Sequence, residues 1–205
     1  MKYTILISLF AVAASSQSYA ALSLVSTFNL NTPIVDNTGT ALTAGIAADG
    51  DGAIYQIGYF SVDTAGFTGT WIALTGDDSA NPTLISSIGD SGDGSDGLLT
   101  QSFGFDDVTH NSLPAAGTQL ALRFYNATSV AGSTHYNTVT NAAWTLNSFS
   151  DSPSPPQALD VDESSGRVWQ DSSNTFKTSI VIVPEPSSIA LLGLGLVSFT
   201  LRRRR

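Results

Sequence analysis

Asp90, Asp93 and Asp96 recur every third residue through a stretch of glycine and serine. That pattern suits an oxygen-ligand site for a hard cation. Calcium takes carboxylate and backbone-carbonyl oxygens on a flexible turn, and a Gly-Asp-Ser segment supplies both. The spacing marks 90–96 as a candidate calcium loop, and calcium is the one cofactor the residues suggest. The D-x-D-x-D-G pattern with a distal glutamate is missing, and the competing reading is a solvated acidic hairpin loop that holds no ion. Asp49 and Asp51, and the adjacent Asp77 and Asp78, repeat the pattern in part. His110 and His135 lack metal-ligand spacing. The chain has no cysteine, which removes disulfides, thiolate nucleophiles and cysteine-bound zinc together.

Nucleophilic chemistry finds less support. Gly89-Asp90-Ser91-Gly92 resembles the serine-nucleophile motif of chymotrypsin-like proteases, but that family places its general-base histidine ahead of the serine. Here His110 and His135 both follow Ser91, and Asp93 replaces the glycine or proline neighbour expected there. Glycosidase-type acid–base work needs two carboxyls at a set separation. Glu163, beside Asp162, is the only glutamate between the two ends, and its loop-like setting favours a solvated role. Trp71, Trp144 and Trp169, with Tyr55, Tyr59, Tyr125 and Tyr136, would stack on sugar rings if exposed and would otherwise build a core. Asn126-Ala127-Thr128 matches an N-glycosylation sequon. No catalytic residue is assigned.

The elements that must position these groups read as β-strands. Thr118 to Tyr125 alternates most clearly, with Leu120, Leu122 and Phe124 on one face and Gln119, Ala121 and Arg123 on the other. Ala53 to Val62 places Tyr55, Ile57 and Tyr59 opposite Ile54, Gln56 and Gly58. Leu22, Leu24 and Phe28 suggest an opening strand, and further strands are expected at Thr70–Leu74, Leu98–Phe105, Ala142–Leu146, Arg167–Gln170 and Thr175–Val183. Turn signals separate them at Asn37-Thr38-Gly39, Asp49-Gly50-Asp51-Gly52, Asn81-Pro82 and Ala116-Gly117. Asn147 to Asp162, with Ser152-Pro153-Ser154-Pro155-Pro156, is expected to be an exposed loop. The pattern predicts an all-β fold, a single sandwich or jelly-roll-like domain over 21–182. About 160 residues suffice for an independent core.

Charge is segregated along the chain. Between the ends, sixteen acidic residues stand against Arg123, Arg167 and Lys177, a net charge of about −13. Such a surface repels phosphate backbones and argues against nucleic-acid partners. At the N-terminus, Lys2 precedes an apolar run from Ile5 to Ala14, and Ser18-Tyr19-Ala20 puts small residues at the −3 and −1 positions of a cleavage site. Residues 1–20 are therefore expected to be a signal peptide and its helix, cut between Ala20 and Ala21. The apolar run is short for a membrane span.

The C-terminal end, 183–205, has three parts in order: Pro184-Glu185-Pro186, an apolar segment from Ser187 to Leu201, and the block Arg202, Arg203, Arg204 and Arg205. The prolines hold an extended stretch. Fifteen helical residues reach roughly 22 Å, short of a bilayer core of about 30 Å, and the arginines fix the end in the cytoplasm. This arrangement resembles the PEP-CTERM sorting domain of Gram-negative bacteria. The resemblance implies a short transmembrane helix and recognition by an exosortase, a membrane-embedded cysteine transpeptidase that processes the tail near Pro184-Glu185-Pro186. It implies transient residence in the inner membrane, then delivery to the cell surface or the extracellular polysaccharide matrix.

The resemblance says nothing of the middle domain. The expected function is a non-catalytic surface or matrix protein. The first alternative is a carbohydrate-binding module, with or without calcium, which predicts an aromatic platform on one sheet face. The second is a hydrolase acting on extracellular polymer, which predicts two facing carboxyls in a cleft.

Overall fold

Side-chain alternation dictates where the sheets form. The computed structural model describes residues 21–28, 33–45, 51–76, 79, 84, 87–88, 96–106, 113–148, 157–161, 166–173 and 176–182. Every regular element among them is a strand: β1 Ala21–Phe28, β2 Tyr55–Phe60, β3 Trp71–Ala73, β4 Leu99–Asp106, β5 Gln119–Tyr125, β6 His135–Thr145, β7 Gln157–Asp160, β8 Arg167–Trp169 and β9 Ile180–Val181. The larger sheet runs β3-β2-β5-β6-β8, with β9 also paired to β6, and the smaller runs β4-β1-β7. All pairings are antiparallel except that of β1 with β7.

Register in the larger sheet follows the apolar faces. Tyr55 pairs with Phe124 and Ile57 with Leu122, while Leu122 pairs with Val139 on β6, so one face carries a continuous apolar row. Phe103 and Phe105 of β4 and Leu159 of β7 join that row in one buried cluster. Tyr55 makes the join specific. Its ring meets Phe103 edge-on at 6.3 Å, and its hydroxyl donates to Gln101 Oε1 of β4 at 2.8 Å. Burying each such side chain is worth about 1.5–3 kcal/mol.

Three expectations need correction. The stretch expected to be an exposed loop contains β7. Leu159 and Val161 are both fully buried, and the strand lies in parallel register with β1, Leu24 to Gln157 through Thr27 to Asp160. Proximity to the prolines masks that alternation in sequence. The strand expected at Ala142–Leu146 instead begins at His135. Its first half is Asn and Thr, and Asn137, Thr138, Thr140 and Asn141 are buried. Their polar atoms have partners: Asn137 Nδ2 donates to Lys177 O at 2.8 Å and Thr140 Oγ1 to Leu120 O at 2.7 Å. Buried polar groups with such partners are tolerated in a core. The strand expected over Thr175–Val183 shrinks to Ile180–Val181.

Because Leu159 is fully enclosed, Leu159→Ala is expected to lower unfolding free energy by about 2–4 kcal/mol, whereas an exposed loop position would change it by at most about 0.5 kcal/mol. Urea denaturation followed by tryptophan fluorescence measures the difference.

Candidate functional site

The second face of the larger sheet carries half-buried Trp71 and Tyr136 over buried Phe60 and Tyr125. Alternation sends Gln56, Gly58 and Phe60 of β2 there, with Ala121, Arg123 and Tyr125 of β5 and Tyr136, Thr138 and Thr140 of β6. Gly58 and Ala121 are small, and that leaves room for large neighbours to lie flat. A Cβ on Gly58 would stand 2.6 Å from the Trp71 ring, so the indole rests on the bare backbone of β2.

Arg123 is the centre of the cluster. Its guanidinium carbon lies 4.2 Å from the Trp71 ring centroid, 4.6 Å from Tyr136 and 5.3 Å from Phe60, each within cation–π range. Its Nε donates to Thr138 Oγ1 at 3.0 Å. Burial pushes the Arg123 pKa below the ordinary arginine value, and Tyr125 and Tyr136 oppose that shift. Gln56, itself buried, accepts from Trp71 Nε1 at 3.0 Å and from the Tyr125 hydroxyl at 2.8 Å through one oxygen. The rings are thus held by hydrogen bonds at their edges and by the cation between their faces.

The row continues into the β2–β3 hairpin. Phe60 meets Trp71 edge-on at 5.3 Å and Phe67 at 5.8 Å. Phe67 has φ 53°, in the left-handed region, where a side chain costs of order 1–3 kcal/mol. The turn that imposes it is fixed by Asp63, whose carboxylate accepts from the N–H groups of Ala65 at 3.0 Å and Gly66 at 3.1 Å. From β3 to β6 the face is three strand spacings wide, about 14 Å. It presents the half-buried rings of Trp71 and Tyr136 with the Arg123 guanidinium between them.

The residues singled out from sequence are scattered by comparison. Asp90 and Asp93 lie outside the described residues. Asp96 is exposed, and its carboxylate accepts from Ala44 N–H at 2.8 Å, tying two loops together. Among the described residues no group of three or more His, Asp or Glu side chains could hold a metal ion. Ser91, His110, Glu163, Asp49, Asp77 and Asp78 also fall outside. His135 opens β6, with Nδ1 3.0 Å from Thr134 Oγ1. Of the aromatics, Tyr55, Tyr125, Trp144 and Trp169 are core, while Trp71, Tyr59 and Tyr136 are half-buried.

The sequon asparagine is already committed. Asn126 Oδ1 accepts from the N–H groups of Thr134 and His135, and Nδ2 donates to Thr134 Oγ1, all at 3.0 Å. It borders an open cleft of about 170 Å³ with Asp36, Thr40 and Thr128. A hydrogen bond from the Thr38 hydroxyl, aided by the N–H groups of Thr38 and Thr40, holds Asp36 below the usual carboxylate range. That is turn chemistry, since the carboxylate caps its own loop.

Residues 183–205 match the PEP-CTERM protein-sorting motif. The chain carries the C-terminal tail of an exosortase substrate. No curated protein and no solved structure matches the chain. The sorting motif includes Pro184, Glu185, Pro186 and Arg202 to Arg205, all outside the described residues, as is Ala20. It supports export and delivery to the cell surface or beyond. Ala21 is the first residue of β1 and pairs with Asp106.

Sequence reasoning missed Arg123 as a site residue. Its only signal is an arginine in mid-strand on the face opposite Leu122 and Phe124, a position where a solvated charge is equally ordinary. Lysine cannot stack as a plane, so Arg123→Lys is expected to cost about 1–2 kcal/mol and to shift tryptophan emission to the red as Trp71 loosens. Denaturant melts and emission spectra check both.

Proposed function

We propose that the mature protein is a non-catalytic component of the surface or extracellular matrix of a Gram-negative cell, built as a two-sheet sandwich from Ala21 onward. The sorting motif at 183–205 carries this reading. The charged start at Lys2, the apolar run from Ile5 to Ala14 and the small residues Ser18 and Ala20 support a signal peptide over 1–20. The tail then holds the domain on the outer side of the inner membrane until the exosortase processes it near Pro184-Glu185-Pro186. Intact mass of protein from membrane and extracellular fractions tests the sequence of events. The extracellular form is expected to lack residues 1–20 and the apolar helix. Glu185→Ala is expected to accumulate in the membrane as precursor, and its normal delivery would refute the sorting reading.

The aromatic face favours a second role, carbohydrate binding, within the same surface protein. Half-buried Trp71, Phe67 and Tyr136 offer ring faces and edges, and the half-buried Arg123 brings a guanidinium between them, while buried Gln56 and Thr138 hold that arrangement from beneath. A domain of net charge about −13 repels polyanions, so we assign the face to a neutral, hydroxyl-rich polysaccharide. The reading needs no calcium, because none of the side chains named on this face is a carboxylate. Affinity electrophoresis in gels containing neutral polysaccharides tests it. Retardation is expected for the wild type and is expected to be lost in Trp71→Ala with the far-UV spectrum unchanged. Equal mobility of both proteins in every gel would sink the idea.

A further inference from the structure

The folded domain meets its sorting tail with almost no linker. Ile182 N–H donates to Thr134 O at 2.9 Å, which extends the β6–β9 ladder by one residue pair. The matched tail begins at Val183. An extended chain covers at most about 3.3–3.6 Å per residue, so Glu185 stays within about 11 Å of the sheet. An enzyme embedded in the membrane must take up extended backbone on both sides of the bond it attacks. A strand still hydrogen-bonded into a sheet cannot enter such a site.

The local structure shows where the chain can yield. Thr178 is fully buried, and its N–H donates to Val35 O at 3.0 Å, while Val35 N–H donates to Phe176 O at 2.8 Å. The Phe176 ring packs edge-on against buried Trp169 at 5.3 Å. Beyond Thr178 the hold weakens at once. Ser179 is exposed, Val181 is 59% exposed, and Ile180 and Ile182 are only half-buried. Strand β9 has two residues and pairs with β6 alone. Just before it, the Ser179 hydroxyl donates to the Asp171 carboxylate. Burial disfavours the Asp171 charge, but hydrogen bonds from Ser173 and Ser179 outweigh it and keep the group ionised below the usual range. Segments with few buried apolar contacts open most readily.

We propose that β9 is part of what the processing enzyme takes up: residues 179–182 leave β6 when the tail is engaged and return as the last strand of the mature fold. Release from Ser179 lengthens the tether by four residues, about 13–14 Å, with Thr178 as the fixed point. The inference rests on the sorting reading above.

His135 and Val181 face each other across the β6–β9 pair, next to the hydrogen-bonded pair Thr134 and Ile182. They therefore form the closer, non-hydrogen-bonded kind of pair, whose Cα separation of about 4.5 Å suits a disulfide. No native cysteine competes. In cells that express the exosortase, the double variant His135→Cys with Val181→Cys is expected to stay as unprocessed precursor once oxidised. Either single variant, and the double variant under reductant, should be trimmed normally. A Gly-Ser linker inserted between Ile182 and Val183 should restore trimming of the locked form. Ile180→Gly, which loosens β9 and leaves 183–205 intact, should be trimmed at least as fast as wild type. Normal trimming of the full-length protein with its disulfide verified by mass would overturn the proposal. So would a locked form that the linker fails to rescue, or slowed trimming of Ile180→Gly. Failure of the wild type to be processed at all would instead refute the sorting reading on which the proposal rests.

Discussion

Strand β5 is packed on both faces, and its period-two alternation ties the core to the aromatic face. Leu120, Leu122 and Phe124 are fully buried toward the smaller sheet. Ala121, Arg123 and Tyr125 point the other way, beneath Trp71 and Tyr136. A slip of one residue would exchange the two sets, placing the guanidinium among Tyr55, Ile57 and Phe103. Register is therefore specified twice, once by apolar burial and once by the fit of a cation between rings. The bulge where β5 pairing shifts between Gln119 and Ala121 absorbs the extra length of β6 without disturbing the register from Ala121 to Tyr125.

Much of this was written in the sequence. The strands around Tyr55, Trp71, Leu120 and Val168 follow from alternation and from the turns between them. What escaped did so for identifiable reasons. In the first half of β6, Asn137, Thr138 and Thr140 are buried because Lys177 O, Arg123 Nε and Leu120 O are there to pair with them. Those partners are distant in sequence, so composition alone reads the segment as polar and exposed. Strand β7 escaped because a parallel partner, β1, lies more than a hundred residues away and leaves no turn signal. The candidate site was half readable. Aromatic residues were visible as a class, but which of them remain partly exposed depends on sheet pairing. Arg123 takes its meaning only from the rings that pairing brings over it.

The acidic composition and the aromatic face are compatible because they occupy different places. Asp36, Asp63 and Asp171 each accept hydrogen bonds from backbone or hydroxyl groups of their own loops, so these three charges serve as turn chemistry. A cysteine-free domain cannot rely on disulfides to fix its loops. Carboxylates that cap several donors at once supply part of that restraint. Asp96 does the same between loops, accepting from the Ala44 N–H.

Stability is graded along the chain, and the grading matches what each segment must do. The pairs β2–β5 and β5–β6 enclose the buried cluster, whereas β9 is a two-residue strand with an exposed valine. A longer or more apolar final strand would add stability and would also bind the segment leading into the tail more firmly to the sheet. At the other exposed margin, Phe67 keeps a left-handed backbone that asparagine or glycine would adopt at lower cost. The Phe67 ring meets Phe60 edge-on, and this contact offsets part of the backbone cost. The same residue lengthens the row of rings that begins at Tyr136 and runs through Arg123, Trp71 and Phe60, so the strained hairpin tip and the half-buried cation belong to one packed layer on β2, β3, β5 and β6.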